Sequence, residues 1–235
     1  ITGLGSYAGT LNASSDFTLA GGNTGFTGTV DQSAGTLTLG GNGALGSSGR
    51  AIIESGAALD LNGKSLGAAS LSLSGSGSNL FGDGLGALVN NAGAAASHSG
   101  AVTLTGETTV GGSGDIALSG KVTGAFALNL ASFGAVTLSG STSDYSGGTN
   151  LRSGTLNVNH ANALGTGPLT ISAGTTLDNT SGSAVTLAGV SSHTWSGSFA
   201  FTGTNDLNLG TGAVGLGASV EVTANAGNLT VGGVI

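Results

Sequence analysis

SGTLNVNHANALGTGPLTISAGTTLD, residues 153–178, holds one histidine, one carboxylate and almost nothing else that can do chemistry. Its long side chains are leucine, valine and isoleucine, set at alternate positions in short runs that glycine interrupts. An earlier stretch, AGTLTLGGNGALGSSGRAIIESGAALD, residues 34–60, follows the same plan. At a constant offset of 119, Gly35, Leu37, Leu39, Ala44, Leu45 and Gly46 fall on Gly154, Leu156, Val158, Ala163, Leu164 and Gly165. One residue is then dropped, and Ile53, Gly56, Leu59 and Asp60 fall on Ile171, Gly174, Leu177 and Asp178. A plan used twice and built from packing residues points to a repeating architecture.

Outward from these two copies the period stays at two. DFTLA, SLSLSG, DIALSG, FALNLA, NDLNLG and SVEVTA alternate in the same way, and AVTL occurs three times, from Ala101, Ala135 and Ala184. Alternation over four to seven residues between Gly, Ser and Asn is the pattern of strands with one buried face. Helical spacing is absent. About twenty strands at intervals of 8 to 12 residues suit a sandwich, a barrel or a solenoid by spacing alone. Irregular rung lengths, glycine at nearly every corner and scarce hairpin dipeptides, Asn62-Gly63 being one of the few, favour the solenoid. The expected fold is all-β, a parallel β-helix running as one continuous segment over residues 1–235. At about 20 to 25 residues per coil it has roughly ten coils and a length of about 50 Å. Aliphatic side chains point inward and form ladders between coils; Thr, Ser and Asn point out.

Composition narrows the function. The 48 glycines among 235 residues come with a single proline, Pro168, which excludes collagen. Charged residues make up 6% of the chain, too few for a soluble disordered segment. Four basic residues, Arg50, Lys64, Lys121 and Arg152, stand against eleven acidic ones, for a net charge of −7. Nothing overcomes the repulsion from phosphate backbones or anionic lipid, so neither nucleic acid nor a membrane surface is an expected partner. No apolar run reaches the length of a membrane helix, and the aromatics are too scattered for the girdles of a membrane barrel. With no cysteine there is neither a disulfide nor a thiolate metal site. A chain without methionine is expected to be a mature or excised piece.

TSDYSGGTNLRSGTLNVNHANALGTGPLTISAGTTLDN resembles the autotransporter-associated β-strand repeat of secreted bacterial passenger regions. Tyr145, Gly147, Gly148, Gly154, Leu156, Leu164, Gly165, Gly174 and Leu177 carry the resemblance across 145–178, and a weaker copy runs over 26–61 through Gly35, Leu37, Leu45, Gly46, Gly56 and Leu59. The resemblance implies a right-handed parallel β-helix, exported through the outer membrane by way of a C-terminal barrel and held at the cell surface or released. It says little about activity.

A reactive site is hard to assemble from the remaining residues. No two of the eleven acids lie within four positions of each other, so the carboxylate pairs of sugar-cleaving β-helices are not apparent. These acids are expected to cap strand ends and solubilise corners. GGSGDIAL and FGDGLG partly match a calcium-binding nonapeptide and make Asp115 and Asp83 candidate ligands, but neither has the full spacing. Asp144-Tyr145-Ser146-Gly147-Gly148 is superficially like a serine nucleophile surround, with nothing placing His98, His160 or His193 as its base. The histidines show no metal spacing and are expected on loops or the surface. Trp195, Phe199 and Phe201 either stack on a sugar or pack inside a coil. No catalytic residue, metal or cofactor is expected.

The expected function is therefore structural: a non-catalytic extracellular stalk serving secretion, display, adhesion or self-association. Its partners would be other copies, side by side or end to end, or surface glycans and proteins. The alternatives are a subunit of a self-assembling filament or matrix and, more distantly, a carbohydrate-active β-helix enzyme.

Overall fold

The computed structural model describes residues 4–77 and 86–235. Its strands pair in parallel throughout, and the described residues contain no helix. Every pairing joins a strand to its equivalent about one coil further along the chain. Thr10 lies beside Thr29 and Ile171 beside Trp195, so a coil takes 19 to 24 residues. One coil is longer: Leu59 meets Leu88, and Leu71 meets Val102. The architecture is a parallel β-solenoid of about ten turns.

Each coil has three faces, met in a fixed chain order. The first carries Thr10–Ala13, Thr29–Gln32, Arg50–Ile53, Ser70–Gly75 and the start of Val102–Gly112. The second begins with Phe17–Leu19 and Gly35–Leu39, and the third with Ser65–Gly67 and Ala96–His98. Beyond Val122–Thr123 the first position passes to turn residues, then returns as a separate three-stranded sheet of Val185–Thr186, Leu207–Asn208 and Leu229–Thr230.

A column of side chains runs the length of the second face: Phe17, Leu37, Leu59, Leu88, Val110, Leu130, Leu151, Ile171, Trp195 and Leu216, each in register with the next. The eight from Leu37 to Trp195 are buried. Covering such a side chain contributes about 1.5 to 3 kcal/mol, and here the coils above and below supply much of the cover. A second column, Ala96, Ile116, Val136, Leu156, Leu177 and Phe201, lines the third face.

Polar side chains bind coil to coil. Asn90 is fully buried and uses its whole amide: Oδ1 accepts from the Gly63 and Ala92 N–H groups, while Nδ2 donates to the Ala94 and Asp115 carbonyls. Gly63 precedes it by about one coil and Asp115 follows it by one, so a single side chain joins three consecutive turns. Asn23 bridges three turns in the same way, from Leu4 to Ala44, and Asn179 joins its own turn to the next through Ser181 and Asp206. Asn62 and Gly63 both have positive φ, but the strands they connect do not pair with each other. They form a corner of the solenoid rather than a hairpin.

Candidate functional site

The residues that carry the sequence repeat are packing residues, and they do not converge. Leu37, Leu45, Leu59, Tyr145, Leu156, Leu164 and Leu177 all lie in the core. Tyr145 donates or accepts a 2.6 Å hydrogen bond with the Thr149 hydroxyl, and burial holds its phenol far above the usual range. Gly35, Gly46, Gly56, Gly148, Gly154, Gly165 and Gly174 all have positive φ at corners. Gly147 crosses the Phe126–Ala127 backbone with no room for a side chain. The two copies also sit on different faces: Leu37 belongs to the second-face column and Leu156 to the third.

The acids act as staples. Asp16 accepts the Thr36 N–H at 2.7 Å, Asp115 the Ala135 N–H at 2.8 Å and Asp206 the Asn228 N–H at 2.9 Å, each from the next coil. Asp178 takes both the N–H and the hydroxyl of Thr204. Asp115 is thus committed to the fold, and Asp83 lies outside the described residues. Among the described residues no group of three His, Asp or Glu side chains is placed to hold a metal. Lys121 and Asp144 form a 2.6 Å ion pair, which lowers the Asp144 pKa; both are well exposed.

Two histidines correct the sequence expectation. His98 and His193 are each 1% exposed, inside the solenoid rather than on its surface. In Ala96–His98 and Ser192–Trp195 they occupy inward positions of the alternation, and that position outweighs the polarity of a neutral ring. Burial lowers both pKa values, that of His98 to about 4. Neither can serve the exposed Ser146, and the His160 Nδ1 accepts the Asn162 N–H instead. Trp195, Phe199 and Phe201 are also interior, with Trp195 edge-on to Phe199 at 5.2 Å, so they present no face to a sugar.

The place where polar groups do converge is an open groove of about 530 Å³ that runs from the corner between the first and second faces, at Ser55, Ser74 and Ser76, onto the second face. Its floor is Thr109 and Asn129, stacked in register on successive coils. One wall is the corner that carries Glu107, pinned to the coil below by the Thr105 and Thr108 hydroxyls, which both donate to the Leu73 carbonyl. At the far side stands Arg152. Leu130 pairs with Leu151 but Ala131 with Ser153, so Arg152 is an inserted residue of a β-bulge, which turns its exposed side chain out of the ladder. Asn129 Oδ1 accepts from Asn150, and among the described residues the Asn129 amide hydrogens, like the Thr109 hydroxyl, have no partner.

Sequence reasoning counted Glu107 and Arg152 but did not join them, since they are 45 positions apart and the bulge exists only relative to the strand below. The one local signal is Arg152 itself, a charge placed within the run Thr149–Val158. No protein-family model, curated protein or solved structure matches this chain.

Proposed function

We propose that this chain is a non-catalytic, extracellular stalk segment of an autotransporter-like bacterial surface protein, serving secretion, display, adhesion or self-association. The observation that carries this reading is the ten-member column from Phe17 to Leu216. Because each coil stacks on its neighbours, the molecule grows in length as residues are added, and length without a globular centre is what a spacer needs. A coil can also add to the one before it as the chain emerges, which suits folding at the outer surface. Hydroxyl and amide groups dominate the outside, with few charges to keep rods apart.

The test places the segment between an N-terminal epitope and an outer-membrane autotransporter barrel. Antibody labelling of intact cells at the level of an intact natural passenger supports the proposal, as does a several-fold loss when residues 154–178 are deleted. Epitope retained in the periplasm, or labelling untouched by the deletion, contradicts it. Long fibres of the purified protein in negative stain would instead favour a filament subunit.

A further inference from the structure

We propose that the groove over Thr109, Asn129 and Arg152 binds a neutral oligosaccharide. This adds a ligand class to the stalk reading and is tested separately from it.

Several independent features of the second face and its corners meet here. The floor, Thr109 at 7% and Asn129 at 4% exposure, holds a hydroxyl and a primary amide on adjacent coils, about 4.8 Å apart, neither fully used by a described residue. Glu107 and Arg152 face the same space, and neither forms an ion pair with a described residue. A carboxylate accepts from a pair of sugar hydroxyls, and a guanidinium fork donates to a pair of hydroxyl oxygens. One charge of each sign suits a neutral hydroxylated chain better than an anion. Beyond Asn129 the same strand turns Ala131 and then Phe133 outward, between the buried Leu130 and Ser132. Phe133 is 82% exposed, a large apolar ring that nothing in the fold uses. The coil below places Gly111 in register with Ala131, so the surface between amide and phenyl is low and flat. Phe133 stands at the corner where this strand passes from the second face to the third, four residues and so at most about 13 Å from Asn129, within the span of a short oligosaccharide. An aromatic face at one end for the C–H side of a sugar, with donors and acceptors at the other for its hydroxyls, forms an amphipathic pair of contacts.

A peptide is a poorer fit. The backbone groups of this face are already spent in the ladders above and below, so strand addition has nothing to pair with. Nucleic acid meets a chain of net charge −7 with a single cation in the groove.

The experiment titrates isotope-labelled protein with cellohexaose, maltohexaose and chitohexaose, following amide shifts. The expected result is saturable shifts at Thr109, Asn129, Ala131 and Phe133 with at least one of the three. Phe133→Ala and Arg152→Gln, both at exposed positions, should each weaken that binding by about tenfold while leaving the far-UV spectrum unchanged. No saturable shift with any of the three sugars, shifts confined to another face, or full binding by both variants would overturn the proposal. So would shifts at these residues that follow protein concentration alone, because the face would then be an interface between copies. None of these outcomes bears on whether the segment acts as a stalk.

Discussion

Gly165 crosses directly over Tyr145: a Cβ on Gly165 would overlap the Tyr145 carbonyl oxygen and press on the ring. The same relationship joins Gly46 to Phe26, 119 residues earlier, where a Cβ would come within 2.7 Å of the Phe26 carbonyl oxygen. Both glycines have φ of 64°. A buried aromatic on one coil and a bare backbone on the next form one packing unit, used twice.

Gly165→Ala should therefore lose stability for two reasons, the left-handed backbone and the clash. Gly174 separates them, since its φ is 74° but nothing lies within 4 Å of a Cβ there. Gly174→Ala is expected to cost about 1 kcal/mol from φ alone, and Gly165→Ala about 3 kcal/mol or more once backbone must also shift. Urea denaturation of the two variants checks the difference; equal losses would remove the crossing from the account.

Asn90→Ala should be among the most damaging polar substitutions. It strands the Gly63 and Ala92 N–H groups and the Ala94 carbonyl at a part-buried corner, while the Asp115 carbonyl keeps the Ala96 N–H, at an expected cost of about 2 to 3 kcal/mol. Asn91→Ala, next to it but exposed and bonded mainly to Asp60, should cost less than about 1 kcal/mol. Hydrogen exchange would show the Asn90→Ala loss as faster exchange of the Gly63 and Ala92 amides, which donate to no other described group.

Acid should weaken the solenoid as the pH falls below 6.5. The His98 ring nitrogens make no well-formed hydrogen bond with a described residue, and burial drives the pKa from 6.5 to about 4, a drop softened only by weak contacts with the Ala101 and Gly67 backbone. Above pH 6.5 the ring is neutral in both folded and unfolded chains, and its contribution to stability is complete. As pH falls from 6.5 towards 4 only the unfolded chain takes the proton, and about 3 kcal/mol is lost across that window. His193, its pKa lowered by burial too, adds to the same trend. Denaturation midpoints between pH 7.5 and 4.5 should slope less in His98→Leu than in the parent; parallel slopes would contradict the assignment.

Leu151→Ala removes one rung of the long column. The cavity lies between Leu130 and Ile171, which cannot close without breaking the ladders on either side, so a loss of 2 to 5 kcal/mol, about that of other buried leucines, is expected. Phe133→Ala should shift the thermal midpoint by little, because its ring covers nothing.

The inside and outside of each strand were legible in the alternation, and so was the solenoid. Which face a strand would occupy was not. The AVTL runs land on the first face at Val102–Leu104 and on the third at Val136–Leu138. Leu37 and Leu156 differ in the same way. A period of two states only in or out at each residue; the face depends on the summed lengths of all earlier corners, and the long coil between Leu59 and Leu88 shifts that sum. His98 and His193 were misjudged because residue type was weighed above position in the alternation. The groove was hidden for a related reason: Glu107, Asn129 and Arg152 become neighbours only once the coils are stacked.

Stacking itself is most directly tested by one distance. Leu37 and Trp195 are seven coils apart in a single column, and Thr36 and Thr194 adjoin them on the outer surface. The chain has no cysteine, so spin labels at Thr36→Cys and Thr194→Cys report only this pair. At about 4.8 Å per coil their separation should be roughly 34 Å, in one narrow distribution. A distance below about 20 Å, as folding back into two layers about 10 Å apart would give, contradicts the solenoid.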